Sequence, residues 1–243
     1  MKKVYTMEDV PILYEDNCVL VVCKPQNLPS QADVSGDVDL LTLLKGYVKE
    51  KYNKPGEAYV GLVHRLDRPT GGLMVFAKNS KSASRLSEQF KTGDLEKTYF
   101  ATVLGEPNEP QAQIVSYLKK NALTNKVYVA TYSDQGVKRA ELTYKTLETF
   151  HGVASLLQIN LGTGRSHQIR VQLSSQGHPI FGDVKYGGDK LAKGHNLALW
   201  AVKLSFLHPV TKQRMVFYSY PPATEPWVKF NMEEHLKLFS DSE

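Results

Sequence analysis

Two rhythms of apolar residues alternate along the chain. Short continuous or alternating runs at 12–14, 19–22, 59–63, 73–77 and 96–104 have the length and composition of strands. Between 111 and 161 four more such runs follow, at 112–118, 126–132, 140–147 and 154–161. Turn formers such as Asp134-Gln135-Gly136 and His151-Gly152 separate them, which predicts an antiparallel meander. Helical spacing is confined to fewer places. Leu40, Leu44, Tyr47 and Val48 share one face behind Asp39 as N-cap. Ala83, Leu86 and Phe90 do so behind Asn79 or Ser80. A short helix carrying Ile169 and Leu173 leaves the turn Gly162-Thr163-Gly164 and is stopped by Gly177 and Pro179. Pro226, with Thr224 available as a cap, opens a terminal helix. The run 197–201, with Leu204 and Phe206, reads as fold-forming. Lys24-Pro25 and Pro29 frame a stiff turn that reads as a connector.

No repeat, low-complexity tract or compositional break interrupts the 243 residues, so one domain spanning 1–243 is expected. A hydrophobic content of 42% is ordinary for a folded chain. A formal charge of +5 points mildly towards a polyanionic partner, although from charge alone a solvated basic surface is slightly the better account. Cys18 and Cys23, five apart near one strand, are poorly spaced for a disulfide, and neither they nor the seven histidines have metal-site spacing. The first eleven residues lack an apolar signal core, and no run reaches the roughly 20 apolar residues of a membrane span. A soluble, cytoplasmic chain is expected, with no membrane partner.

The chemistry concentrates in His64-Arg65-Leu66-Asp67-Arg68-Pro69-Thr70-Gly71-Gly72-Leu73, a charged turn between two apolar strands. Arg65 and Arg68 flank one carboxylate, Asp67, and cations close by favour its charged form. Such a group can be a nucleophile or half of a structural ion pair, and charge pattern alone does not choose. A kinase catalytic loop also sets His-Arg before Asp. It requires a glycine-rich loop, a strand lysine and an Asp-Phe-Gly that are absent here.

This stretch resembles the signature of the RluA-type pseudouridine synthases, departing from it at Gly71, where the family usually has serine. Gly164-Arg165-Ser166-His167-Gln168-Ile169-Arg170 matches a second family motif. Lys24-Pro25, the segment 177–187 and the closing strand run match others in the family's order, so the resemblance extends from about Ile12 to about Pro222. It implies an α+β fold, with a mixed, mainly antiparallel central sheet and flanking helices. It also implies an isomerase that converts specific uridines of ribosomal or transfer RNA to pseudouridine.

The family pattern makes Asp67 the catalytic carboxylate, Arg170 its partner and Tyr99 the residue against the target base. Arg65 would fill the space of the flipped nucleotide, with Arg68 and Arg165 as further RNA contacts. On a helix, Arg165 and Arg170 would stand about 140° apart, so only one would reach Asp67 directly. The isomerisation transfers no hydride, phosphate or electron and calls for no cofactor or metal. Asp183 reads as a turn-forming carboxylate. Only about ten residues precede the first family-like strand, so no N-terminal RNA-binding (S4) domain is expected. No protein partner is implied, and a monomer is expected. A non-catalytic RNA-binding or RNA-folding protein is the alternative. A carboxylate-dependent hydrolase would need a second acidic group near Asp67, where the sequence is basic.

Overall fold

A computed structural model of the chain describes residues 3–187 and 194–240. The chain gathers into two compact units, the first from 1–97 and 201–219, the second from 98–200 and 220–243. Strands predominate: β1 (Ile12–Glu15), β2 (Val19–Lys24), β3 (Gly61–Leu62), β4 (Gly71–Ala77), β5 (Glu96–Leu104), β6 (Gln111–Asn121), β7 (Lys126–Ala130), β8 (Lys138–Phe150), β9 (Ala154–Leu161), β10 (Leu199–Leu207) and β11 (Arg214–Tyr218). The helices are α1 (Leu40–Lys51), α2 (Ser80–Thr92), α3 (Gln168–Ser175) and α4 (Met232–Ser240). The expected α+β class, mainly antiparallel with few helices, is what the chain adopts.

In the first unit β2 lies between β1 and β4, antiparallel to both, and β11 pairs with β10. Every residue of β4 is buried, as a strand with neighbours on both sides requires. Val19, Val21, Leu73, Val75, Leu204 and Phe206 pack with Leu86 of α2 into one core. Each such side chain contributes about 1.5–3 kcal/mol of transfer free energy. Both helix caps form as expected: Asp39 accepts from Thr42 N–H, and Asn79 from Ser82 N–H.

In this unit three elements differ from expectation. The strand at 59–63 shrinks to two residues, and at its C-terminal end the next ladder donor on β4, Val75 N–H, is taken by the ring of His64 (3.0 Å). Strand β4 starts two residues early, at Gly71. Gly72 has φ +111°, and a Cβ there would lie 2.4 Å from the Ala201 carbonyl oxygen, so only glycine fits. Strand β11 is an element beyond those the apolar pattern predicts, although Met215-Val216-Phe217-Tyr218 behind the 208–213 turn has hairpin composition.

The second unit has the expected antiparallel strands, in the order β5-β9-β8-β6-β7, but not as a simple meander: β8 pairs with β6 rather than with β7, which lies at the edge. Leu118, Val127 and Ala140 pack on Val171 of α3. The terminal helix starts later than expected. Pro226 leads into a single 3-10 turn, Trp227–Lys229, and α4 begins after Asn231, whose side chain accepts from Glu234 N–H.

Candidate active site

In the first unit, the turn 66–70 between β3 and β4 carries the charged motif, and one loop, 24–30, fixes its backbone. Ser30 Oγ donates to the Leu66 carbonyl (2.8 Å) and accepts from Leu66 N–H (3.2 Å). Gln26 Nε2 donates to the Pro69 carbonyl (3.4 Å), and Thr70 N–H closes the turn on the Asp67 carbonyl (2.9 Å). Lys24 completes the set. Its fully buried ammonium donates to the carbonyls of Pro25 (3.0 Å), Leu28 (2.8 Å) and Arg68 (3.1 Å). Three acceptors match its three protons. Burial pushes the Lys24 ammonium down to about 7, against the pull of the nearby Asp67 charge. The Lys24-Pro25 segment is therefore more than a rigid connector: its side chain ties the loop to the carbonyl next to Asp67. The sequence signal was a lysine at the end of a wholly apolar strand.

Asp67 is half-buried and Arg65 exposed, so this turn offers a carboxylate and a long cation together. Arg68 is committed within the unit. Its Nε donates to the Asn27 carbonyl (3.2 Å), Nη1 to Ser35 Oγ (3.0 Å) and Nη2 to Asp37, and Asp33 lies 3.8 Å away. His64 is buried, and burial first, then the Lys97 charge, holds its imidazole well below the ordinary histidine range. It is thus neutral, which its acceptance of Val75 N–H requires of Nε2.

The second unit holds the other expected residues. Tyr99, 4% exposed, sits on β5 opposite Ile159 of β9. Arg170 lies in the first turn of α3 and is buried rather than snorkelling to water. Its Nε and Nη2 donate to Asp183 Oδ2 (2.8 Å) and Oδ1 (2.7 Å), a two-pronged ion pair. Asp183 Oδ1 also accepts Lys185 N–H (2.9 Å) and Tyr186 N–H (3.1 Å). The expected turn-forming role is present, but the grip on Arg170 was not legible, since thirteen residues separate the two. The guanidinium also lies over the Tyr186 ring (5.2 Å), whose hydroxyl meets His167 Nδ1 (2.7 Å).

Arg165 is exposed and precedes the helix by three residues. Its N–H donates to Gln168 Oε1 (3.0 Å) and its Nε to the Arg139 carbonyl (3.1 Å). The helical angle of about 140° to Arg170 does not apply, because Arg165 is in the turn and not on the helix.

Away from these residues, Asp16, Cys18 and His208 converge closely enough to offer oxygen, sulfur and nitrogen to a cation. The hydrogen bonds argue otherwise. His208 Nδ1 accepts from Val210 N–H (3.3 Å) and Thr211 N–H (3.0 Å), so its proton sits on Nε2, which donates to Asp16 Oδ2 (2.8 Å). The nitrogen that would face the cation is occupied, and Asp16 Oδ1 is filled by Cys18 and Val19 N–H, both at 2.7 Å. These residues clasp the start of β2 to the β10–β11 turn and do not suit a metal.

The mainly antiparallel α+β fold is that of solved RNA pseudouridylate synthase domains. The family model for RNA pseudouridylate synthase matches residues 18–175, and the chain belongs to that family. It is 33% identical over 242 residues to an RNA pseudouridine synthase of Aquifex aeolicus, covering 94% of this chain and 75% of that one. It is 34% identical to the ribosomal large subunit pseudouridine synthase D of Zymomonas mobilis, over 88% of this chain and 71% of the other. Human RNA Pseudouridylate Synthase Domain Containing 1 shares its fold, with a TM-score of 0.75 over 98% of both chains at 22% identity.

Proposed function

We propose that this member of the family, an enzyme that isomerises uridine in RNA to pseudouridine, acts on specific uridines of ribosomal or transfer RNA through Asp67. The reaction breaks the bond between ribose and the uracil nitrogen and joins the ribose to uracil C5, so the target base must leave its stack. Asp67 meets the sugar, either as nucleophile at the anomeric carbon or as base at C2′. Arg65 occupies the place the base vacates. Arg170 is the cation that holds the carboxylate in place. Tyr99 packs against the uracil. Arg165 and Arg68 contact the RNA backbone, Arg68 with only the edge its carboxylate partners leave. The two units work as one catalytic domain, and their unfolding as a single calorimetric transition is the corresponding expectation.

The observation that carries this reading is the construction of the Asp67 turn. Four of its backbone groups, on Leu66, Arg68 and Pro69, are held by side chains of 24–30, with Asp67 half-buried and Arg65 exposed on the turn so fixed. A structural ion pair needs no such cradle, whereas a reacting group must be held to a fraction of an ångström. The family name brings an RNA substrate, and one relative's name brings the ribosomal large subunit. No described helix is long and apolar enough to cross a membrane, and we read the chain as a cytoplasmic monomer.

Asp67→Asn tests the assignment: RNA binding should persist while tritium release from C5-labelled uridine RNA disappears. Near-normal release would refute it. Sequencing pseudouridines in cells with and without the protein identifies the target.

A further inference from the structure

The charge of this chain is unevenly distributed. Residues 111–140 hold five basic residues and one acidic one, a net +4 that accounts for most of the chain's +5. This segment is β6, β7 and the start of β8, and its two faces differ. Ile114, Ser116 and Leu118 are buried, and Leu118 packs with Val127 and Ala140 against Val171 of α3. Tyr117 and Lys119, interleaved between them, therefore point to the opposite face. Register extends that face across the strands: Tyr117 lies opposite Arg139, and Lys119 opposite Tyr128. Tyr132, 77% exposed, sets its ring 6.1 Å from that of Tyr117, and Tyr128 is 45% exposed. Glu141 pairs with Arg139 at one edge, leaving the aromatic middle next to Lys119.

We propose that this face of β6–β7–β8 is an RNA-binding platform that takes an unpaired stretch of the substrate RNA, distinct from Asp67 and from Arg65, Arg68 and Arg165. It rests on the reading of the chain as an enzyme acting on RNA. Exposed tyrosine rings on the strands and on the turn that follows β7 offer bases a stacking surface, and lysine and arginine between them meet the phosphates. An acidic protein would find the same charge. The exposed rings favour RNA, because a nucleobase stacks on a tyrosine face and an acidic side chain does not. A duplex, whose bases are already stacked, gains less from them.

The test uses the full chain, with a fluorescein-labelled 12-nucleotide oligouridine and a 12-base-pair RNA duplex as probes. Tyr132→Ala should weaken oligouridine binding at least fivefold and duplex binding less, by the usual value of one base–aromatic stack. Lys119→Gln with Arg139→Gln should lower the slope of log K against log salt by about 1.4, two single-strand phosphate contacts. The pair Lys49→Gln and Lys54→Gln, exposed cations elsewhere, should leave affinity near that of the parent.

Unchanged oligouridine affinity and salt slope in the face variants, with melting curves intact, would overturn the platform. So would equal losses in the Lys49/Lys54 control, which would reduce it to net charge. A drop in oligomeric mass in the face variants would assign the face to a second copy of this chain instead. Parent protein that binds oligouridine through this face but forms no pseudouridine in ribosomal or transfer RNA would refute the proposed function and leave the platform standing.

Discussion

Asp183 holds Arg170 by two hydrogen bonds, Nε to Oδ2 at 2.8 Å and Nη2 to Oδ1 at 2.7 Å, with both side chains almost fully removed from water. The same carboxylate fastens the backbone of Lys185 and Tyr186. The arginine motif is thus oriented by a residue that lies outside it, on a turn thirteen positions further along.

Removing one partner of a buried pair is costly, because the other charge is left unmatched. Asp183→Asn should lower stability by about 3–5 kcal/mol and reduce turnover. Chemical denaturation gives the first quantity. For the second, turnover measured well below the variant's melting temperature should still fall if Asp183 positions Arg170. Recovery of full turnover under those conditions would leave Asp183 with a purely structural part.

Arg65 and Arg68 separate in the same turn. Arg65 is exposed, whereas Arg68 bonds Asn27, Ser35 and Asp37. Arg65→Ala should reduce single-turnover pseudouridine formation by tenfold or more. Arg68→Ala should change it only a few-fold and mainly loosen 27–37, a difference that limited proteolysis of that loop would show. Equal kinetic losses would contradict the division.

Lys24 gives a pH signature with a defined sign. Unfolded, a lysine keeps its proton to about 10.5; folded, Lys24 keeps it only to about 7. Between those values the unfolded chain binds more protons, so the Lys24 contribution makes stability rise with pH from about 7 towards 10.5. Lys24→Met removes that rise. It also strips the carbonyls of Pro25, Leu28 and Arg68 of a donor, at about 1–3 kcal/mol near pH 7. Urea unfolding of parent and variant at pH 7 and pH 9.5 measures both effects; parallel pH dependence in the two proteins would disprove the linkage.

Glu15 predicts the acid limb. Burial alone would raise its carboxyl. Hydrogen bonds from Lys51 and Lys78, both at 2.6 Å, and from Tyr47 and Tyr52, both at 2.8 Å, outweigh burial and bring it to about 2. A depressed carboxylate stabilises above its unfolded value of 4.5, and the contribution fades as pH falls towards 2. Allowing for solvent at Lys51, this amounts to about 2 kcal/mol. Glu15→Gln should forfeit it at pH 7 and flatten the loss between pH 4.5 and 2, as read from melting curves across that range.

The sequence by itself determined the elements whose cause is local. Apolar rhythm placed the strands of 111–161, though not the pairing of β8 with β6 past β7. Asp39 and Asn79 announced their helices through caps that each lie within three residues of the N–H they satisfy. Asp67 between two arginines was legible for the same reason, as neighbours in one turn. Tertiary structure decided what depends on partners distant in the chain. Lys24 reads as a strand end until the Arg68 carbonyl, 44 positions away, meets its ammonium. Asp183 is only a turn residue until α3 brings Arg170 to it. His64 shortens β3 by taking Val75 N–H, eleven residues on. Periodicity and capping record short-range sterics and hydrogen bonding. The polar contacts of buried charges form only where packing has excluded water, and no sequence spacing encodes which carbonyl or carboxylate will be there.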